Sequence, residues 1–83
     1  MYTIELENGQ KIIGEILKMD KKLLKIKMIV IAPITIFDHA IKVGDRIVLD
    51  NSEFVVEDIS EGGVKLSNIV LIERKNVKKI EGI

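Results

Sequence analysis

The sequence predicts an all-β fold, a small barrel of strongly bent antiparallel strands. Its apolar residues are mostly β-branched, with sixteen Ile and eight Val against two Ala, and such side chains favour pleated sheet over helix. Short apolar runs are separated by turn-forming residues, as at Asn8-Gly9 and Gly62-Gly63. Gly14 interrupts the second run, and a glycine inside a strand usually marks a bend or a close backbone approach. These features together indicate strands that curl.

The first two strands are predicted to form a hairpin over residues 3–19. Apolar residues at positions 4 and 6 alternate with glutamates, the period of a strand with one buried face. Asn8-Gly9 readily adopts positive φ angles and therefore predicts a two-residue type I′ turn. The strand that follows contains Gly14, which would let it bend toward a barrel.

The middle of the chain predicts three further strands. Residues 23–31 form the third, and its uncharged half from Met28 onward is expected to be buried on both faces. Ala32-Pro33 ends this strand because proline has no amide hydrogen and restricts the preceding residue. Residues 34–37 and 40–43 are predicted as short strands on either side of a turn at Asp38-His39.

A second hairpin is predicted over residues 46–59, with its turn at Asn51-Ser52. It matches the first hairpin at an offset of forty-three residues, which predicts an internal duplication of residues 3–43 and 46–81. Residues 64–67, 69–72 and 77–80 are the remaining strands, with turns at residues 61–63 and 74–76. Two organisations stay open: one compact unit of residues 1–83 with a long elaboration in its middle, or tandem halves 1–43 and 44–83.

Composition narrows the class of function. Thirteen basic and thirteen acidic side chains cancel, so any nucleic-acid site must be local. The chain has no cysteine, which fits a cytoplasmic protein without disulfides. The longest uncharged run, residues 28–37, is about half as long as a membrane-spanning helix, and Met1 leads directly into a predicted strand rather than a signal peptide. We therefore expect cytoplasmic localisation and no membrane partner.

No pattern of catalytic residues is present. The only histidine, His39, has no serine or cysteine nucleophile arranged near it. Metal binding would need several ligands of suitable type, and the chain has neither a cysteine set nor a histidine pair. Gly62-Gly63 lacks the Lys-Ser or Lys-Thr of a phosphate-binding loop. We expect no enzyme activity, cofactor, metal or small-molecule substrate.

Several residues in the first hairpin stand at a recognisable spacing. They are Asn8, Gly9, Ile12, Gly14, Ile16 and Asp20. In this respect residues 3–20 resemble the first motif of the Sm and Sm-like (LSm) RNA-binding proteins. The resemblance implies an SH3-type, Sm-like small barrel, a ring-shaped homo-oligomer and binding of single-stranded RNA.

The chain departs from this family at two places. The family has an asparagine shortly after the acid, and often an aromatic residue or histidine before it, to hold and stack a base. This chain instead continues with Lys21, Lys22 and two leucines. The second motif is degenerate, since Glu73-Arg74 stands where the family has Arg-Gly.

The resemblance also implies where a site and an interface would lie. In the family, the loop between strands two and three meets the loop between strands four and five at the rim of the ring's pore. The expected RNA-binding residues are Asp20, Lys21, Lys22, Arg74, Lys75 and Asn76. Pairing of the fourth strand with the fifth strand of a neighbour gives the expected oligomer interface: Ile69, Val70, Leu71, Ile72, Val77 and Ile80.

Two functional interpretations follow. The first is an Sm-like, homo-oligomeric protein that binds single-stranded RNA or another polyanion, with little sequence preference because the chain has only three aromatic residues. The alternative is a structural or assembly module that uses the barrel for protein contacts alone, its lysines only keeping strand edges soluble. An accessory domain of an enzyme or channel is a third, more generic possibility.

Overall fold

The computed structural model describes residues 1–83 and confirms the all-β prediction. The chain has seven strands and no α-helix. The strands are β1 (Tyr2–Leu6), β2 (Lys11–Met19), β3 (Leu23–Ala32), β4 (Arg46–Leu49), β5 (Ser52–Ser60), β6 (Gly63–Glu73) and β7 (Val77–Gly82), with 3₁₀ turns at Ile34–Ile36 and Arg74–Asn76. Hydrogen bonds join the strands in the open order β4-β5-β6-β3-β2-β1-β7. Neither 3₁₀ turn, each of three residues, is long or apolar enough to cross a membrane.

The chain divides into two compact units. The terminal unit consists of Met1–Met28 and Ile69–Ile83, and the central unit of Ile29–Asn68. Strands in the terminal unit follow the order β6-β3-β2-β1-β7, and those in the central unit the order β4-β5-β6-β3. Both β3 and β6 therefore contribute residues to each unit. These boundaries differ from the one between the predicted halves 1–43 and 44–83.

Each unit has its own buried side chains. In the terminal unit, Ile4 lies opposite Ile12 in the β1–β2 ladder, and both belong to the core cluster of Ile4, Ile12, Leu24, Ile26 and Ile72. The buried side chains of the central unit are Ala32, Phe54, Val56, Val64, Leu66 and Ser67. Full burial of one large aliphatic side chain contributes roughly 1.5–3 kcal/mol. A few such residues therefore account for much of the stability of a unit this small.

The two hairpin turns differ from the prediction. Asn8-Gly9 is not a type I′ turn, because only Gly9 has a positive φ, of 88°. The Asn8 side chain accepts a hydrogen bond from the Gln10 amide at 2.9 Å, and four residues connect β1 to β2. The two-residue turn with both φ positive occurs in the second hairpin, at Asp50 (49°) and Asn51 (64°). It lies one residue before the predicted Asn51-Ser52.

Gly14 is confirmed as a place of close backbone approach. A Cβ atom at this position would lie 2.8 Å from Ile26 Cγ2 and closer still to the Lys27 carbonyl oxygen. Two residues later, the β2–β3 register shifts between Ile16 and Lys18. Such an irregularity increases the local twist of a strand. β2 therefore has both features expected of a strongly bent strand.

The region after β3 was predicted wrongly. Ile34–Ile36 form a 3₁₀ turn instead of a strand, with the Ile36 amide donating to the Pro33 backbone oxygen at 3.2 Å, and Phe37 lies in no strand. Residues 40–43 are not a strand either. The second half of β3 is not buried on both faces, since Ile31 is 60% exposed. Later in the chain, residues 64–67 and 69–72 belong to one continuous strand, β6.

The two units repeat one arrangement at an offset of forty residues rather than forty-three. Ile16 faces Ile26 in the β2–β3 ladder, and Val56 faces Leu66 in the β5–β6 ladder. Each ladder shifts register at the next step, and the two 3₁₀ turns are also forty residues apart. The offset of forty-three holds at the ends of β1 and β4 but falls to forty-one at the starts of β2 and β5, because the connection before β2 has four residues and that before β5 has two. It reaches forty at the register shifts.

Candidate nucleic-acid interface

Two connections of the terminal unit meet although they are far apart in sequence. One is the turn between β2 and β3, and the other is the 3₁₀ turn Arg74–Asn76. The Arg74 backbone amide donates to the Lys22 backbone oxygen at 2.9 Å. The Arg74 side chain donates through Nη1 to the backbone oxygen of Asp20 at 3.1 Å. One arginine therefore holds the β2–β3 turn through both its backbone and its side chain.

Asp20 shapes this turn from within. Its Oδ1 atom accepts hydrogen bonds from the amides of Lys22 at 2.8 Å and Leu23 at 2.7 Å. These two bonds, that from Leu23 first, lower the pKa of the Asp20 carboxyl below its ordinary value, and the positive charges of Lys18 and Arg74 lower it further. The carboxylate is thus occupied by the backbone, which leaves the neighbouring lysines to face solvent.

A cleft of about 480 Å³ lies between the two connections. We call it the lysine cleft, and its lining residues are Lys21, Lys22, Leu23, Glu73 and Lys75. Three of these side chains are cations and one is an anion. Glu73 Oε2 lies 3.2 Å from Lys75 Nζ, whereas Lys21 and Lys22 take part in no salt bridge. Leu23, 42% exposed, adds an apolar surface.

The six predicted RNA-binding residues occupy three kinds of position. Lys21, Lys22 and Lys75 line the lysine cleft, while Asp20 and Arg74 hold the connections that form it. The sixth residue, Asn76, lines a neighbouring groove of about 500 Å³ instead, with Leu6, Glu7, Asn8, Leu71, Ile72 and Glu73. Its backbone oxygen accepts a hydrogen bond from the Glu7 amide at 2.8 Å.

Sequence reasoning missed two residues of the cleft, Leu23 and Glu73. Glu73 was noted only as a departure from the family's Arg-Gly, although a charged residue at the end of a strand next to Arg74 would necessarily lie near the same turn. Leu23 is predicted only as the first residue of the third strand. Its position directly after Lys21 and Lys22 is the signal that places it next to the same turn.

The predicted interface residues alternate along β6. Ile69 and Leu71 are 57% and 64% exposed, whereas Val70 is partly buried and Ile72 belongs to the core. Val77 and Ile80 are also partly buried against that core. β7 pairs with β1 and ends the strand order, and the ladder between β5 and β6 ends at Ser67. The exposed apolar surface of this set is therefore that of Ile69 and Leu71.

A second charged surface of the terminal unit differs in character from the lysine cleft. Thr3, Glu5, Lys11, Lys79 and Glu81 line a small depression across three strands. Lys79 pairs with Glu81, which raises the pKa of the lysine and lowers that of the glutamate. Lys78 Nζ lies 3.9 Å from Glu5 Oε2. Two lysines and two glutamates line the depression itself, so its lining offers an anion no excess of cations.

His39 in the central unit is paired with its neighbour. Its Nδ1 atom lies 2.7 Å from Asp38 Oδ1, and both side chains are largely exposed. The hydrogen bond with His39 lowers the pKa of the Asp38 carboxyl. The His39–Asp38 pair forms part of a groove along β4. No group of three His, Cys, Asp or Glu side chains in the structure is placed to hold a metal ion.

Comparisons with protein-family models, with curated proteins and with solved structures gave no match.

Proposed function

We propose that this chain binds single-stranded RNA or another polyanion at the lysine cleft, as an Sm-like, SH3-type barrel without catalytic activity. The observation that carries this proposal is the meeting of Lys21 and Lys22 with Lys75, which Arg74 brings about across fifty-four residues of sequence. The resemblance of residues 3–20 to the first Sm motif supports the same function, since it anticipates contact between these two connections.

The charge of the cleft supports a ligand with several phosphates. The chain as a whole carries no net charge, yet the cleft has three lysines and one glutamate. Lysines that neutralise phosphates release condensed counterions, and for single strands the logarithm of the affinity falls by about 0.7 per phosphate for each logarithmic unit of salt. Three contacts per subunit therefore give a slope of roughly −2. Such binding would weaken more than tenfold between about 50 and 200 mM salt.

Recognition of bases is expected to be weak. Sequence-specific readers of single-stranded RNA stack bases on aromatic rings, and no aromatic residue lines the cleft. Leu23 offers only a small apolar contact. Binding should therefore depend on the phosphate backbone and differ little between oligo-U and oligo-A.

Self-association is the second part of the proposal. β7 lies at one end of the strand order, and an unpaired edge strand is a template for pairing with another chain. Ile69 and Leu71 place two exposed aliphatic side chains on the strand that precedes it. A cyclic homo-oligomer would satisfy such edges and repeat the cleft around a ring, which multiplies its positive potential.

We propose cytoplasmic localisation on the absence of cysteine alone.

Two observations favour the alternative, a structural or assembly module without RNA binding. The exposed aliphatic pair Ile69 and Leu71 is suited to a protein partner, and neither an aromatic residue nor an asparagine lines the cleft. In that case the chain would still self-associate but would not bind RNA.

Fluorescence anisotropy with labelled oligo-U and oligo-A at low and high salt tests the proposal. The wild type should bind both at low salt, and the double variant Lys21→Glu, Lys22→Glu should lose most of the affinity. A control with the same net charge, Lys11→Glu with Lys42→Glu, should retain it. No binding by the wild type at low salt would refute RNA binding. Equal losses of affinity in the two double variants would show that the lysine cleft is not the binding site. Light scattering that gives a monomer at micromolar concentration would contradict the ring.

A further inference from the structure

Glu73 is the one anion among the residues that line the lysine cleft. It ends β6 immediately before the 3₁₀ turn, and its Oε2 atom lies 3.2 Å from Lys75 Nζ. Both side chains are mostly exposed, at 58% and 78%. Exposed pairs of this kind contribute little to folding stability. The position of the Glu73 carboxylate therefore matters less for folding stability than for which anions can approach Lys75.

We propose that Glu73 competes with the ligand for Lys75 and thereby makes the cleft selective for chains of several phosphates over a single phosphate. This role rests on the proposed polyanion binding and deepens it. A phosphate that reaches Lys75 must displace the Glu73 carboxylate or accept its repulsion. Lys21 and Lys22, which form no salt bridge, carry no such competitor.

The selectivity follows from the number of cations that one ligand can reach. A lone phosphate at Lys75 exchanges one anionic partner for another and gains little. A phosphodiester chain that is held by Lys75 also offers neighbouring phosphates to Lys21 and Lys22 on the opposite connection. The counterions released there favour binding. The carboxylate thus weakens every anion, but only a multivalent one recovers the loss within the same cleft.

The test compares Glu73→Gln with a matched variant, Glu61→Gln. Glu61 is an exposed residue in the turn between β5 and β6, the position forty residues after Lys21. Removal of one negative charge about 6 Å from a bound phosphate in water should tighten binding about threefold. We therefore expect Glu73→Gln to bind oligo-U about threefold more tightly at low salt, with a salt slope steeper by about 0.7. Glu61→Gln should bind as the wild type does, and an unchanged affinity for Glu73→Gln would overturn the proposal.

A double-mutant cycle with Lys75 identifies the route of the effect. If Glu73 acts by occupying Lys75, then Glu73→Gln should give a smaller gain in a Lys75→Gln background than in the wild type. An equal gain in both backgrounds would overturn competition for Lys75. Thermal melting of each variant checks that the fold is kept, which the exposure of both side chains leads us to expect.

Inorganic phosphate tests the selectivity itself. Its inhibition constant against labelled oligo-U, at constant ionic strength, should fall in Glu73→Gln by more than the roughly threefold gain expected for oligo-U itself. A fall of about threefold or less would contradict selection by Glu73. If neither the wild type nor Glu73→Gln binds oligo-U at low salt, the proposed function fails as well. Binding by the wild type without any gain in Glu73→Gln refutes the role of Glu73 alone.

Discussion

Replacement of Gly14 by alanine should destabilise the protein, because the added methyl group has no room. Its Cβ would lie 2.8 Å from Ile26 Cγ2 and even closer to the Lys27 oxygen. The Ile26 side chain could move a little, but the Lys27 oxygen belongs to a strand whose residues pair with β2. Relief of this contact requires separation of two strands near the register shift at Ile16.

The expected loss of stability in Gly14→Ala is the sum of two opposing effects. Overpacking of a filled site typically costs about 1–3 kcal/mol, and a backbone neighbour places Gly14→Ala toward the upper end. Alanine also restricts the unfolded chain, which returns about 0.4–1 kcal/mol. The expected net loss is therefore about 2 kcal/mol. For a chain of this size each kcal/mol lowers the Tm by roughly 4–8 °C, so the expected decrease is roughly 8–16 °C.

Thermal melting followed by circular dichroism measures this loss, and Gly62→Ala is the matched control. A Cβ at Gly62 would meet only Ser60 Oγ, at 3.7 Å, so this variant should melt at or slightly above the wild-type temperature. A Tm for Gly14→Ala within about 2 °C of the control would refute the close approach of β2 and β3, since that small a shift corresponds to less than about 0.5 kcal/mol.

Two further predictions concern the connections that form the lysine cleft. Arg74→Met should weaken oligo-U binding, measured by fluorescence anisotropy, more than Lys78→Met does. Both variants lose one positive charge, but Arg74 also holds the β2–β3 turn through the backbone oxygen of Asp20. Equal losses of affinity would contradict this positioning role of Arg74. The fold lowers the pKa of the Asp20 carboxyl from its ordinary value of 3.8. The ionised carboxylate therefore stabilises the fold fully above pH 3.8, and this contribution is lost as the pH falls from there through the lower pKa of the folded state. The urea midpoint should thus decrease more between pH 5 and pH 3 for the wild type than for Asp20→Asn, and identical decreases would contradict this role of the carboxylate.

The strands were largely predictable, and local chemistry explains why. Alternation around Ile4 and the glycine at Gly14 are signals contained within a few residues, and the structure confirms both. The turns were less predictable because one side-chain hydrogen bond decides between alternatives. The Asn8 side chain accepts a hydrogen bond from the Gln10 backbone amide, within a connection of four residues. The two-residue turn with both φ positive occurs separately, at Asp50 and Asn51 in the other hairpin.

The candidate site was predictable only through the family resemblance. Nothing in local sequence relates Lys21 or Lys22 to Arg74, because their proximity depends on how β3 and β6 pair. The resemblance supplied that proximity, and the hydrogen bonds of Arg74 show it. It could not supply the role of Glu73, because the family has a different residue there.

The length of β3 was predicted to within one residue, but that of β6 was not. Residues 64–67 and 69–72 were expected to be two short strands, yet they belong to one strand that extends through both units. The exposed side chain of Ile31 lies on β3, where hydrophobicity alone predicted burial on both faces. Burial here depends on strand pairing rather than on residue type.

Titration of ¹⁵N-labelled protein with oligo-U, followed by NMR, tests the location of polyanion binding most directly. The largest amide shift changes at low salt are expected in residues 20–23 and 73–75, with little change along β4, and they should diminish as salt rises. Changes centred on the charged depression around Lys11 and Lys79, or no changes at all, would contradict binding at the lysine cleft.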